Sequence, residues 1–377
     1  MISMPNSSLT IPLVDLVAQY KSIQAEIDEA VAEVITEGHF IGGEKSKEFA
    51  AHFARLCEVP FCVPCANGTD ALEIALASMG VGPGDEVIIP AFSFAATLEA
   101  VCNVGATPVL CDIDPDRYTI DTEMAINLVT SQSKIFMPVH LYGQMADMHP
   151  LVSYASDHHM FIIEDAAQAH GAIYKNAKAG SIGDINTFSF YPSKNLGAYG
   201  DAGALTTKSE WLSAKAFKIA NHGRTSKYEH EMVGRNSRLD ALQAAILSVK
   251  LRHLESWTTK RQQLALRYNE LLEDVEQIVL PTFYADSLSV FHLYVIRVPV
   301  DRREDFIKAM KQQGIETGIH YPVSLSKLRV TTEQLKIVVD CPEAEKASQE
   351  VVSLPLYPEM TDEMQEFVCD SIIEFFK

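Results

Sequence analysis

Between about residues 60 and 208 two patterns of apolar and polar positions alternate along the chain. Short runs rich in β-branched and aromatic residues (FCVPCAN, DEVIIPA, PVLCDID, SKIFMPVHLY, HMFIIED, INTFSFYP and AGALTTK) are separated by stretches with apolar residues at helical spacing. In GTDALEIALASMG, for example, Leu72, Ile74, Ala75 and Met79 recur near one face and Gly80 marks a stop. Such alternation predicts an α/β fold, a mostly parallel sheet flanked by helices.

After residue 209 the pattern turns helical, most clearly over SRLDALQAAILSVKLRHLESW, residues 237 to 257, and a second helical stretch follows to about Leu272. A β run at 290 to 298 and helices near 302 to 313 and 361 to 376 then predict a smaller α+β unit. This divides the chain into a large domain, 1–255, and a small C-terminal domain, 256–377.

Charge narrows the function classes. Of 377 residues, 31 are Lys or Arg and 50 are Asp or Glu, a net charge of -19, which disfavours any broad surface for nucleic acid or anionic lipid. The N-terminus MISMPNSSLTIPLVDL has neither a basic start nor a long apolar core, and no 18 apolar residues run together. The expectation is a cytoplasmic protein, with Asn6 and Asn67 not glycosylated. The seven cysteines are odd in number and lack paired metal-ligand spacing, so they read as reduced thiols. CDIDPDRYTIDTE mimics a calcium loop, but Arg117 stands where the turn needs glycine and Pro115 interrupts it, so no metal is expected.

Three features carry chemistry. IIEDAAQAHG runs from a buried-looking strand into Glu164 and Asp165, and a carboxylate at such a strand end calls for a cationic partner. CANGTDALEIAL leaves a strand and opens a helix at once, so the N–H groups of Gly68, Thr69 and Asp70, with the Thr69 hydroxyl, suit a phosphate; a plain N-cap at Asn67 and a plain turn at Gly68 are the alternative. TFSFYPSKNLGAYGDAGAL places Lys194 after a strand in a loop of small residues, where a simple surface lysine is the other reading. A cofactor with a basic ring nitrogen, a phosphate and an aldehyde would use all three, and pyridoxal phosphate has these groups. Phe92 and Phe94 offer a plane for its ring or belong to the core.

Taken together, PLVDL, EGHFIGGEKSKEFA, ANGTDAL, GDEVIIPAFSFAAT, EDAAQAHGA, SFYPSKNLGAYGDAGA, GRNSRLDALQAAIL and GIHYP resemble, in order and over nearly the whole chain, the DegT-type nucleotide-sugar aminotransferases, a branch of the aspartate-aminotransferase fold. The resemblance implies that Lys194 forms the Schiff base with pyridoxal 5'-phosphate, Asp165 pairs with the pyridinium and Gln168 contacts the ring's hydroxyl side. It implies that Phe94 stacks on the ring, and that Gly68, Thr69 and Ser189 hold the phosphate with Asn236 from the neighbouring subunit of a homodimer. His320 and Tyr321 would line the sugar-nucleotide end. The stretch NHGRTSKYEHEMVGRNSR concentrates Arg224, Lys227, Arg235 and Arg238 around Tyr228 and fits a substrate diphosphate, unless it is a solvated loop interrupted by Glu229 and Glu231.

The implied activity is amino transfer, from glutamate, onto a nucleotide-linked keto sugar. Lys194 favours this over the dehydratases of the same superfamily, which carry histidine there. SFYPSKNLGAYGDAGA leans to members acting on 3-keto sugars; a 4-keto sugar, or a cofactor-binding regulator without turnover, are the alternatives.

Overall fold

The computed structural model describes residues 10–282 and 284–377; the N-terminal start read above, with Asn6, lies outside the described residues. Each of the seven β runs becomes a strand: β1 (Phe61–Cys65), β2 (Glu86–Pro90), β3 (Thr107–Cys111), β4 (Ser133–Phe136), β5 (Phe161–Asp165), β6 (Ile185–Ser189) and β7 (Gly203–Thr207). They form one sheet in the order β1-β7-β6-β5-β4-β2-β3. Only β7 runs against its neighbours β1 and β6; the pairings of β2 with β3 and β4, of β4 with β5 and of β5 with β6 are parallel.

Successive residues of a strand point to opposite faces, so a sheet covered on both sides needs apolar residues at nearly every position. Val87 and Ile89 of β2 enter one core with Leu72 and Ile74, while Ile88 between them enters the other with Phe49, Phe53 and Phe136. This satisfies continuous runs such as VII better than an alternating, half-exposed strand would. The parallel arrangement also brings the carboxyl ends of β1, β2, β4, β5 and β6, together with the start of β7, to a single edge. Asp165 and Ser189 end their strands at that edge, and the loops leaving it carry Asn67, Phe94 and Val139. Crevices outside the carboxyl ends of parallel strands are where such sheets take ligands.

GTDALEIALAS forms helix α1 (Gly68–Ser78), capped by Asn67, whose side chain accepts from Asp70 N. The helical pattern read as two stretches is one helix, α2 (Ala241–Leu272), 32 residues long and capped by Asp240. It passes through residue 255 without a break because no Gly or Pro interrupts 241–272 and because Leu254, Trp257, Arg261 and Leu264 continue its buried face. Its early turns pack on Gln24–Glu37 and Gly43–Leu56, its later turns on the last helix of the chain.

The C-terminal residues pair β8 (Tyr294–Arg297) antiparallel with β9 (Val351–Leu354), covered by α3 (Val300–Gln312) and α4 (Asp362–Phe376). Tyr268, Tyr294, Ile296, Phe306, Val352 and Ile372 share a separate core, which Ile11 from the other end of the chain also joins. The β run read over 290 to 298 is strand only from Tyr294; Val290 N instead donates to Gly143 O, and Phe291 takes a left-handed φ of 43°. That turn sends residue 292 toward the sheet edge.

Candidate active site

At that edge lies a cavity of about 810 Å³, lined among others by Gly68, Thr69, Phe94, Asp165, Gln168, Ser189, Lys194, His320 and Tyr321. Nine of the residues singled out in the sequence therefore meet in one place.

The two acids at the end of β5 have opposite surroundings, as the pleat requires. Glu164 is fully buried on the side away from the cavity. Its Oε1 accepts from Ile182 N at 2.7 Å and Gly183 N at 2.8 Å, its Oε2 from Gly180 N at 3.0 Å and His140 Nε2 at 2.8 Å. His140 Nδ1 accepts from Ala146 N at 3.2 Å, so the ring proton sits on Nε2 and is donated to Glu164. Burial alone would raise the Glu164 pKa; the donors from His140 and the backbone outweigh it and the net direction is down.

Asp165 is 5% exposed and faces the cavity. Oδ2 accepts from Thr97 Oγ1 at 3.1 Å, which shares a 2.8 Å hydrogen bond with Ser93, and Oδ1 accepts from Ala167 N at 3.2 Å. No ion pair reaches it among the described residues. Burial accordingly pushes its pKa up, against the pull of Ala167 N, Thr97 and Lys194. A carboxylate held on two hydrogen bonds with its cation missing is the arrangement expected where a ligand supplies the cation.

Lys194 follows β6 in a turn that depends on glycine. A β-carbon on Gly197 would lie 2.2 Å from Pro192 O, and one on Gly203 would lie 2.3 Å from Asn67 O, so neither position has room for a side chain. Burial pulls the Lys194 ammonium down to about 8, opposed by Asp165. An amine in that range is available as a base near neutral pH.

At the opposite end, Asp70 N is already committed to Asn67 Oδ1 at 2.8 Å. This corrects the reading that all three first N–H groups of α1 are open: Gly68 and Thr69 are left, facing the cavity beside Ser189. Gln168 is pinned at both ends, accepting from Tyr142 N at 2.7 Å and donating to Tyr321 OH at 3.1 Å. Phe94 is 57% exposed, its ring 5.8 Å from that of Tyr321. His320 Nδ1 sits 2.8 Å from Ser353 Oγ.

Four expected residues do not reach this cavity in the single chain. Asn236 is exposed, with its backbone bridged to Asn221; Tyr228 is exposed, and Arg224 and Arg238 are half-buried, all outside the lining. The basic stretch also loses a member: Arg235 is spent on Glu73 and Asp70 of its own chain. The loop acids read as a false calcium motif serve the backbone, Asp112 accepting from Glu343 N at 2.9 Å and Ala344 N at 2.8 Å.

The sequence profile of the DegT/DnrJ/EryC1/StrS aminotransferase family matches residues 21–373. The chain belongs to this family. A pleiotropic regulatory protein of Geobacillus stearothermophilus is 43% identical over 98% of this chain and 99% of its own length. A dTDP-3-amino-3,4,6-trideoxy-alpha-D-glucose transaminase of Streptomyces venezuelae is 38% identical over 97% and 96%. NtdA of Bacillus subtilis, solved with bound cofactor PMP, is 32% identical and superposes with a TM-score of 0.91 over 99% of this chain and 87% of that one.

As a member of the DegT/DnrJ/EryC1/StrS family the protein is a pyridoxal phosphate-dependent sugar aminotransferase. The cavity fits that cofactor: Asp165 lacks a cation, Lys194 has a depressed pKa, and Gly68 approaches Ser189 so closely that a β-carbon on it would lie 2.6 Å from Ser189 Cβ. Thr97, Ser93, Tyr142, Asn195 and His292 belong to the site's surroundings and escaped the sequence reading. Ser93 and Thr97 did carry a local signal, both lying within PAFSFAAT, with Thr97 in the first turn of the helix that opens at Ala95.

Proposed function

We propose that the protein transfers an amino group from glutamate to carbon 3 of a nucleoside-diphosphate-linked keto sugar, as a homodimer whose sites take residues from both subunits. The observation that carries this reading is the unpaired Asp165 carboxylate facing the same cavity as Lys194 and the open start of α1. The lean to carbon 3 rests on the SFYPSKNLGAYGDAGA motif and on the 3-amino-sugar transaminase among the relatives.

In this reading Gly68 N, Thr69 and Ser189 hold the cofactor phosphate, with Asn236 arriving from the partner subunit. Asp165 holds the ring nitrogen protonated, Gln168 meets the ring hydroxyl and Phe94 covers one face. When bound, pyridoxal phosphate supplies an electron sink for the carbon that loses its proton. Lys194, once its amine is free and uncharged, would take the proton from the substrate carbon that bears the nitrogen and deliver it to the cofactor carbon on the other side of that nitrogen. The depressed Lys194 pKa makes that amine available, and Thr97 and Ala167 hold Asp165 in a fixed direction. His320 and Tyr321 line the sugar end, and Arg224, Arg238 and Tyr228 of the loop meet the diphosphate. The regulatory relative suggests cofactor binding without turnover as the other reading; possession of both Lys194 and Asp165 favours turnover.

The test mixes the protein and glutamate with thymidine-, uridine- and guanosine-linked 3-keto and 4-keto sugars. We expect a 3-amino product with matching 2-oxoglutarate. Amination of only 4-keto sugars would overturn the carbon-3 assignment, and failure with the whole panel the nucleotide-sugar reading.

A further inference from the structure

Asn195, the residue after Lys194, is buried and meets His292 from 97 positions further along the chain. Its amide has one possible orientation. Nδ2 donates to Val290 O at 2.8 Å, and a carbonyl only accepts, so the Oδ1 end faces His292. Oδ1 lies 3.2 Å from His292 Nδ1 and also only accepts; Nδ1 must therefore carry the ring proton. Burial, together with Lys194, Arg261, His320 and His170 nearby, keeps this imidazole neutral. A neutral ring protonated on Nδ1 has a bare lone pair on Nε2.

That nitrogen opens onto the cavity. His292 is 6% exposed and lines the cavity, and its Nε2 has no hydrogen-bond partner among the described residues. His320 also lines the cavity, but its Nδ1 partner is a hydroxyl that can donate or accept, so its polarity is not fixed in this way. Lys194, which lines the same cavity, has no side-chain hydrogen bond or ion pair among the described residues, and after burial itself its charge is what most disfavours protonation of His292. An ammonium donor without an acceptor and an acceptor without a donor face the same cavity.

We propose that His292 is a positioning residue for Lys194, its Nε2 accepting a hydrogen bond from the ammonium that Lys194 carries when it is free of the cofactor, with Asn195 setting the ring's polarity. The role rests on Lys194 being the cofactor lysine. Proton transfer by an amine depends on where the amine waits between steps, and a fixed acceptor holds it within reach.

The test uses the protein loaded with pyridoxamine phosphate, in which Lys194 is free. Labelling by a small amine-reactive reagent is followed from about pH 6 to pH 10 and quantified on the Lys194 peptide by mass. His292→Phe should lower the apparent Lys194 pKa by about one unit, because the ammonium loses its acceptor. His292→Gln, whose Oε1 reaches where Nε2 stood, should return it to within about 0.3 unit of the parent. An unchanged His292→Phe titration would overturn the proposal and leave a sugar hydroxyl as the donor; equal displacement in both variants would reduce His292 to a packing role and overturn it as well. If the variants do not fold, the ¹⁵N imidazole spectrum of the unmodified protein decides: a protonated Nδ1 with a bare Nε2 supports the assignment, and the reverse tautomer sinks it. Neither readout needs a sugar substrate, so failure of the proposed reaction is seen separately.

Discussion

Gly68 and Ser189 stand so close across the phosphate end of the cavity that a β-carbon on the glycine would fall 2.6 Å from Ser189 Cβ and 3.1 Å from its Oγ. The start of α1 and the end of β6 are thereby brought within one ligand group of each other. Gly68→Ala should push them apart and weaken cofactor binding at least about tenfold, since Ser189 is a short side chain on an interior strand with little room to yield. Cofactor titration of the stripped protein measures this; affinity within about twofold of the parent would show that the contact has no part in holding the phosphate.

Asp165→Asn separates the carboxylate's chemical role from its structural one. Asn can still accept from Ala167 N and can donate to Thr97, which turns toward Ser93, so the fold should survive. Turnover with saturating cofactor should fall more than tenfold, over about 1.4 kcal/mol of barrier. In the cofactor-free protein the sign reverses. Because the folded pKa of Asp165 is raised above 3.8, the folded state holds a proton the unfolded chain releases, and stability drops as pH rises through that window. Cofactor-free Asp165→Asn should therefore equal or exceed the parent in Tm at neutral pH.

Glu164 behaves oppositely. Its pKa is lowered from 4.5, so its contribution is complete above that value and fades as pH falls through the folded pKa. Glu164→Gln would point its amide at the N–H of His140 and of Gly180, and should cost about 2–5 kcal/mol at neutral pH. Denaturant melts at pH 7 and about pH 4 should show the gap between parent and variant narrowing on acidification.

Shared sites can be tested by complementation. Lys194→Ala and Asn236→Asp chains, each inactive alone, should regain roughly a quarter of parental activity when unfolded, mixed and re-dimerised at random, since half the dimers are mixed and each has one intact site. Mixed dimers confirmed by mass but inactive would place Asn236 outside the partner's site.

Most of the sheet was legible because both of its faces are covered, which forces apolar runs such as DEVIIPA and HMFIIED that loops cannot carry. Asp165, Lys194 and Gly68 were legible because each stands where such a run stops, the place a parallel sheet exposes to ligands. The rest depends on distance along the chain. Arg235 looks free in its basic stretch, yet its partners Asp70 and Glu73 lie 165 and 162 residues away. His292 reads as one more position in a β run until Asn195, 97 residues earlier, shows why the strand begins after it. The unbroken α2 was hidden by a different cause: over 241–250 no side chain is exposed, whereas from Arg252 onward exposed residues recur every turn, so the apolar pattern thins while the backbone runs on.

That helix also limits how the cavity can open. At 32 residues it is about 48 Å long, and it serves as a shared beam, gripping the sheet-bearing lobe with its first half and the C-terminal lobe with its second. Bending it near the middle would break consecutive backbone hydrogen bonds beside the buried Leu254 and Trp257. Phe94 and Tyr191, each 57% exposed, line the cavity and can turn without disturbing that helix. A swing about the middle of this helix would cost those hydrogen bonds; side-chain rotation at the doorway would cost none.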